Sequence, residues 1–229
     1  MAEIIVVSIR EDIESRGHWV VLIRPTRLVE KRVPFETLQT ILERAAVQIR
    51  GWDFPHIDYK TPIKKDIDWI GQDFEWDMYR EIWRFFQSGQ FAHLSALTLD
   101  WRDKSEIWKA PSDWKPGLLL GIGDATYHYK EALELAARLA VTDAGDSIMH
   151  IEVCPKNLEG RVLYLDDSRR WPLHRDYKAS LNEFPQAVDI DREELLANPA
   201  SIALGMAREL FLRFGFDAST DTLDEISTH

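Results

Sequence analysis

Four side chains that can bind a ligand lie close together in the stretch IRGWDFPHIDY, residues 49–59. They are Arg50, Trp52, Asp53 and His56. An aromatic ring beside a guanidinium and an imidazole can stack on a flat ligand and bind an anion. The stretch is therefore a candidate site for a nucleotide-like or acidic small molecule.

A packed corner of the fold is the simpler interpretation of the same stretch. Gly51 would end a helix and Pro55 would fix the loop, while Trp52, Phe54 and Ile57 would dock into the core. The polar side chains would then bind one another or the loop backbone. The spacing favours this packed junction, and the stretch is still the first place to look for a site.

A second stretch, EIWRFFQSGQFAHLSALTL, extends the candidate site through a predicted hairpin. Its turn is Ser88-Gly89, because glycine tolerates a positive φ. That register pairs Phe86 with Phe91 and Arg84 with His93. The candidate ligand-binding residues are then Arg50, Trp52, His56, Arg84 and His93.

The opposite face of this hairpin is more apolar and is expected to be core. Because side chains alternate along a strand, this face holds Trp83, Phe85, Ala92 and Leu94. A helix over residues 76–86 is the competing interpretation, since its aromatic residues also fit a 3.6-residue period. We favour the hairpin.

A different chemistry is suggested by YLDDSRRWPLHRDY, residues 164–177. Asp166, Asp167, His174 and Asp176 could hold a divalent metal for phosphoester hydrolysis. Arginines interleave with these acids, so a solvated loop of paired charges explains the stretch without a metal.

Other motifs are weaker. The stretch GIGDAT, residues 121–126, precedes a helix but lacks the Lys-Ser/Thr ending of a P-loop, so loop chemistry is the better explanation. Cys154 lies in an apolar strand, where burial raises the pKa of a thiol and disfavours a nucleophilic role. No sequence signature of a cofactor site is found, and we expect no cofactor.

The elements that would position these residues follow from periodicity. Residues 3–9 and 18–24 are predicted to form an antiparallel strand pair, and Pro34 opens a helix that continues to Ile49. A second helix covers 124–141 with Asp124 as its cap. Strands at 147–154 and 161–165 follow, joined by a turn at 157–160. A last helix begins at Asn198-Pro199 and ends at Gly215, and residues beyond 216 are predicted to be disordered.

Composition limits the possible partners and location. The net charge is -11, and a charge of this sign disfavours binding to a phosphate backbone. The longest apolar runs fall far short of the roughly 20 residues that cross a bilayer, and the N-terminus lacks a signal-peptide pattern. We expect a cytoplasmic protein that binds neither nucleic acid nor membrane, with its single cysteine reduced.

The segments RGWDFPHI and EIWRFFQSGQF give the chain a resemblance to a known group. Over residues 18–100 it resembles uncharacterised bacterial proteins associated with Schlafen-type, AlbA-like DNA-binding regions. This resemblance implies a bacterial, cytoplasmic protein. The acidic charge of the chain argues against the DNA binding that the association suggests.

Together these observations predict an α+β fold with an antiparallel, tryptophan-rich sheet, packed helices and two halves that share a core. The halves are residues 1–115 and 116–216, followed by a disordered acidic tail, 217–229. We expect a non-enzymatic module that recognises a protein partner or an anionic small ligand, in a regulatory or anti-phage accessory role. The alternatives are the metal-dependent phosphodiesterase or nuclease described above and a scaffold that uses exposed tryptophans; the oligomeric state is left open.

Overall fold

The computed structural model describes residues 8–166 and 172–227. The strands are β1 (His18–Pro25), β2 (Lys64–Lys65), β3 (Trp69–Trp76), β4 (Tyr79–Phe86), β5 (Phe91–Ala96), β6 (Leu119–Gly121), β7 (Ile148–Lys156), β8 (Val162–Tyr164) and β9 (Gln186–Asp191). The helices are α1 (Ile9–Glu14), α2 (Leu38–Ala45), α3 (Ile122–Ala140), α4 (Arg192–Ala197), α5 (Pro199–Leu212) and α6 (Thr220–Ser227). Short 3-10 helices cover Phe35–Thr37, Thr98–Trp101 and Lys104–Glu106.

One antiparallel sheet of seven strands organises the fold, in the order β2-β3-β4-β5-β1-β7-β9. The α+β prediction is confirmed. β1 pairs with β5 on one side and with β7 on the other, so both halves of the chain contribute to one sheet and one core. The β6 and β8 strands form a separate, parallel pair.

Helix α3 lies against the inner face of the sheet and is covered in turn by α5 and α6. It is buried on nearly every side, because its apolar stripe faces the strands and the other helices pack on its remaining faces. The core between these layers contains Trp19, Trp83, Phe85, Tyr129 and Phe211. A polar side chain on a buried face of α3 is therefore costly unless it forms a hydrogen bond or an ion pair.

The predicted pairing of residues 3–9 with 18–24 was wrong for the part that the structure describes. Residues 1–7 lie outside the described residues, whereas Ile9 begins α1. A capping box fixes this start, since the Ser8 side chain accepts from the Glu11 amide and Glu11 accepts from the Ser8 amide. Both edges of β1 are already occupied by β5 and β7, which leaves no edge for the expected partner.

The hairpin of β4 and β5 is confirmed, but its predicted register was wrong by one residue. Phe85 pairs with Phe91, and Trp83 pairs with His93. The Phe86 amide donates to the Gln90 carbonyl, so the loop has three residues and ends at Gly89, which has a φ of +84°. As a result His93 lies on the buried face and Arg84 on the opposite face.

Two helix boundaries also differ from the prediction. The helix expected from Pro34 to Ile49 begins with a 3-10 turn and ends at Ala45, because the chain then bridges Val47 to Phe54. α3 begins at Ile122 with Gly121 at the cap position, so Asp124 is not the cap. The Asp124 side chain binds Arg50 instead.

The C-terminal predictions are partly confirmed. Strands form at both expected places, but β7 belongs to the large sheet and β8 to the parallel pair. α5 begins at Pro199 as expected, and Gly215 has a φ of +81° just beyond it. The prediction of a disordered tail was wrong for residues 220–227, which form α6 with Leu223 fully buried.

Across the described ranges, no helix is both long and apolar enough to cross a membrane.

Candidate functional site

A cavity of about 510 Å³ lies between the inner face of the sheet and the first turns of α3. Its walls come from β1, β4, β5, α3, α6 and the segments that follow α2, β5 and β8. Five aromatic side chains line it: Trp19, Trp52, Phe54, Tyr79 and Tyr127. Charged and polar side chains from the sheet and from α3 face one another across it.

The sheet supplies the floor of the cavity through strand alternation. His93 and Ser95 are two residues apart on β5 and therefore point to the same, inner face. The register places Glu81 of β4 beside Ser95, and Trp19 of β1 on its other side. The Glu81 carboxylate accepts a hydrogen bond from His93 Nε2 at 2.9 Å.

The helix supplies the facing wall through residues at helical spacing. Asp124, Tyr127, His128 and Glu131 lie on one side of α3, because residues three and four apart share a face. The His128 ring stacks on Trp19, with a centroid distance of 4.6 Å. His128 is also 6.1 Å from the His93 ring, so the two imidazoles are neighbours in the cavity wall.

The loop after α2 contributes Arg50 and is both a packed corner and part of the site. Phe54 and Ile57 are both buried, and Phe54 lines the cavity together with Arg50, Trp52 and Asp53. The His56 amide donates to Glu81 Oε1 at 2.7 Å, and Trp83 Nε1 donates to the His56 carbonyl at 2.9 Å. The loop is thus tied to β4 by two hydrogen bonds.

Arg50 connects this loop to α3 through a charged network. Its Nε and Nη2 donate to the two carboxylate oxygens of Glu131 at 2.9 and 2.8 Å, and its Nη1 donates to Asp124. Burial opposes the charge on Arg50, but the two carboxylates outweigh it and raise the pKa of the guanidinium. Burial raises the pKa of Glu131, and Arg50 opposes that shift.

Asp166 closes the cavity at the start of α3. Its carboxylate accepts hydrogen bonds from the amides of Gly123 and Asp124 at 3.0 and 2.9 Å. A Cβ on Gly121 or Gly123 would lie 2.7 Å from a carboxylate oxygen of Asp166, so these glycines admit the side chain. Burial, and then the charge of Asp124, raise the pKa of Asp166 despite the two amide donors.

Arginines line the side of the cavity near β4 and the segment after β5. Arg80 is paired, because it contacts Glu75 at 3.0 Å and Asp12 at 3.4 Å. Arg102 donates to Met78 Sδ at 2.8 Å and forms no ion pair with any described residue. The guanidinium of Arg102 is therefore available to an anion.

Four buried polar atoms of the cavity-lining residues lack hydrogen-bond partners among the described residues. One of them, Arg80 Nε, still forms an ion pair with Asp12 at 3.4 Å. The other three are His93 Nδ1, Ser95 Oγ and His128 Nε2. These residues are only 2%, 8% and 4% exposed. Burial lowers the pKa of His128 well below its usual value, and His93 and Arg50 add to that effect, so its imidazole is neutral. Buried polar groups in proteins are normally satisfied, so this cluster needs an explanation.

The structure brings together three of the five residues proposed from the sequence. Arg50, Trp52 and His93 line the cavity. His56 lies behind Trp52, stacked on it at 4.2 Å, and does not line the cavity. Arg84 is separated from the site because it lies on the other face of the sheet, where it binds Asp73 and stacks over Trp69 at 4.7 Å.

The residues proposed for a metal-dependent hydrolase are mostly apart. Asp166 lines the cavity, but His174 and Asp176 are exposed outside it, and Asp167 lies outside the described residues. His174 Nε2 is 3.3 Å from the Tyr177 hydroxyl. Within ranges 8–166 and 172–227, no group of three or more His, Cys, Asp or Glu side chains could hold a metal ion.

Sequence reasoning missed the α3 side of the site. The signal was present, because Asp124, His128 and Glu131 are spaced by four and three residues within DATYHYKE. The apolar stripe of the same helix indicated only which face is core. A polar stripe on a surface helix is usually solvated, so these three residues were not predicted to form a site. The polar stripe indicates a site only once α3 is known to be buried on its other faces.

No family model, no curated protein and no solved structure matches the chain. The resemblance to Schlafen-associated proteins therefore stays a prediction.

Proposed function

We propose that this protein binds a small, flat molecule with a single negative charge in the cavity between the sheet and α3. The three unpartnered atoms of His93, Ser95 and His128 carry this proposal. A buried polar group without a partner costs about 1–3 kcal/mol. A ligand that hydrogen-bonds to all three atoms removes that cost, which favours binding.

The shape and charge of the cavity support this class of ligand. Its volume of about 510 Å³ falls within the range of roughly 300–1,000 Å³ that is usual for small-molecule sites. The five aromatic side chains provide apolar walls for a ring. Arg102 can hold one anionic group, whereas Glu81, Asp124, Glu131 and Asp166 disfavour a ligand with more negative charge.

The sequence-based expectations on location and partners belong to the same proposal. A bacterial, cytoplasmic protein would keep buried Cys154 reduced, and the net charge of -11 disfavours a nucleic-acid partner. A protein partner, through which ligand binding would be sensed, is compatible with a regulatory role.

Native mass spectrometry tests the proposal on protein purified gently from its source cells. We expect a non-covalent adduct on the wild type that is lost in His128→Phe, which keeps an aromatic ring against Trp19 but removes Nε2. His150→Phe is the matched control, because His150 pairs with Asp189 outside the cavity. An adduct common to all three proteins would contradict the proposal.

Calorimetric titration with benzoate, a flat monoanion, complements the mass measurement. We expect saturable binding to the wild type and to His150→Phe, and weaker binding to Arg102→Met. Circular dichroism and the urea midpoint of each variant show whether it is folded. A wild-type protein that binds no benzoate and carries no adduct would refute the proposed function.

A further inference from the structure

We propose that the cavity is also catalytic: His93 takes a proton from a water molecule beside the bound ligand, and the protein hydrolyses a small monoanionic ester. This inference rests on the proposed function, because the ester must first bind in the cavity. It goes beyond that function, since binding alone requires no base.

The pairing of His93 with Glu81 fixes which ring nitrogen can act. A carboxylate only accepts hydrogen bonds, so the 2.9 Å contact places the proton of the neutral ring on Nε2. Nδ1 then carries the lone pair. The other oxygen of Glu81 is held by the His56 amide at 2.7 Å, so the carboxylate itself cannot turn away. A carboxylate that holds the tautomer and orientation of an imidazole is the usual arrangement for a general base.

The basic nitrogen is free and the ring is held in place. Nδ1 has no hydrogen-bond partner among the described residues, and His93 lines the cavity. Phe54 contacts the ring edge-on at 4.8 Å, and Phe91 stacks on it at 6.1 Å. These contacts and Glu81 together restrict the ring, and the proposed step places the attacking water molecule at Nδ1.

The hydrolysis balances with water as the only co-reactant. The water oxygen bonds to the acyl carbon while its proton moves to His93 Nδ1, and the carbonyl electron pair moves onto oxygen. Ser95, whose hydroxyl has no partner among the described residues, donates a hydrogen bond to this oxyanion. Collapse of this tetrahedral intermediate breaks the bond between the acyl carbon and the alcohol oxygen, and that oxygen takes the proton from Nδ1. Glu81 stabilises the imidazolium between the two steps.

The surrounding charges favour an acyl ester over a phosphate ester. Asp124, Glu131 and Asp166 face the cavity from α3 and from the segment after β8, and their charge would repel a dianionic phosphoryl group. Arg50 is already paired with two of these acids. One carboxylate on the substrate matches Arg102, the cavity arginine without an ion pair to a described residue.

Two chromogenic esters test the inference. The first is the mono-4-nitrophenyl ester of terephthalic acid, which carries one free carboxylate; the second is neutral 4-nitrophenyl benzoate. We expect His93→Gln to lower kcat for the charged ester by roughly 100-fold or more, the usual contribution of a general base. Benzoate should still bind to this variant, although more weakly than to the wild type, because Arg102 is retained while the His93 ring is lost.

Glu81→Gln leaves one acceptor oxygen for the two donors that Glu81 binds, His93 Nε2 and the His56 amide, and it removes the charge that stabilises the imidazolium. We expect it to lower kcat by roughly tenfold or more with little change in KM, which a merely structural role would not produce. Because this substitution is isosteric, it also tests the inference if His93→Gln does not fold. Arg102→Met should raise KM for the charged ester and leave the neutral ester unaffected.

His150→Gln is the matched control, since it removes a surface imidazole that is paired with Asp189 at 2.6 Å. It should hydrolyse both esters like the wild type. Hydrolysis no faster than in buffer, or equal rates in the wild type and His93→Gln, would overturn the inference. Benzoate binding without hydrolysis would refute the hydrolysis and leave the proposed binding function standing. Absence of both binding and hydrolysis would refute both proposals.

Discussion

Replacing Arg50 by methionine perturbs the best-connected charge of the cavity. Its guanidinium binds both oxygens of Glu131, whose side chain is only 2% exposed. Methionine keeps much of the apolar stem and removes the charge. The Glu131 carboxylate would then be buried without a positive partner, which is the costly way to break an ion pair.

The expected loss of stability is about 3 kcal/mol at pH 8. Removing one partner of a buried pair costs about 3–5 kcal/mol, and the lower end applies because the Arg50 side chain is 31% exposed and partly screened by solvent. The unpaired carboxylate can avoid part of this cost only by taking up a proton.

Because Glu131 can take up a proton, the loss of stability in Arg50→Met depends on pH. Burial already raises the pKa of Glu131 and Arg50 opposes the shift, so the substitution raises the pKa further. The folded state then binds more protons than the unfolded state, and the free energy of unfolding falls as pH rises from the unfolded pKa through the folded pKa. The free energy of unfolding of Arg50→Met should therefore lie close to that of the wild type near pH 5. Near pH 8 it should be lower by the whole expected amount.

Urea unfolding followed by tryptophan fluorescence measures this difference at both pH values. Arg10→Met is the control, because Arg10 and Glu14 form an exposed pair within one helix and should matter little at either pH. Adding Glu131→Gln to Arg50→Met should recover most of the loss at pH 8. A loss that is equal at both pH values, or that the second substitution does not recover, would refute the reasoning.

Three further outcomes are expected. Leu223→Ala should lower the free energy of unfolding by about 2–5 kcal/mol, because Leu223 of α6 is fully buried, while Leu28→Ala at a 77% exposed site should change it little. Asp100→Asn should cost about 3–5 kcal/mol, since this 1% exposed carboxylate binds Arg161 and the Gly17 amide. Benzoate affinity should fall about 10- to 100-fold in Arg102→Met, the worth of one charge-assisted hydrogen bond.

Urea denaturation measures the first two outcomes and calorimetry the third. Wild-type stability in Leu223→Ala would mean that α6 does not pack against α3. Arg84→Met is the control for the anion site, because Arg84 binds Asp73 on the outer face and should leave benzoate affinity unchanged. Equal affinity losses in the two arginine variants would contradict the placement of the site.

The elements that could be predicted from sequence are those with a strong local signal. β1, the β4–β5 hairpin, α3 and α5 have clear periodicity or a proline at the helix start. The hairpin register was missed because two- and three-residue loops differ by one residue, and a glycine fits the last position of either. That single shift moves His93 to the inner face and leaves Arg84 outside.

Tertiary contacts determine α6 and the α3 side of the site, which local sequence patterns did not predict. Segment 217–227 has few apolar residues, yet α6 forms because Leu223 fills the core and Lys130 binds Asp224 and Ser227 at 2.7 and 2.6 Å. The same holds for the candidate site. His128 and Glu131 become site residues only because α3 is buried against the sheet that carries Glu81 and His93.

A crystal structure of the protein soaked with benzoate tests the central claim most directly. We expect electron density for the ring against the aromatic side chains that line the cavity, with the carboxylate on Arg102 and with hydrogen bonds from the ligand or its bound water to His93, Ser95 and His128. Density for ordered water alone at these three side chains, with benzoate absent at saturating concentration, would contradict the claim that the cavity is a ligand site.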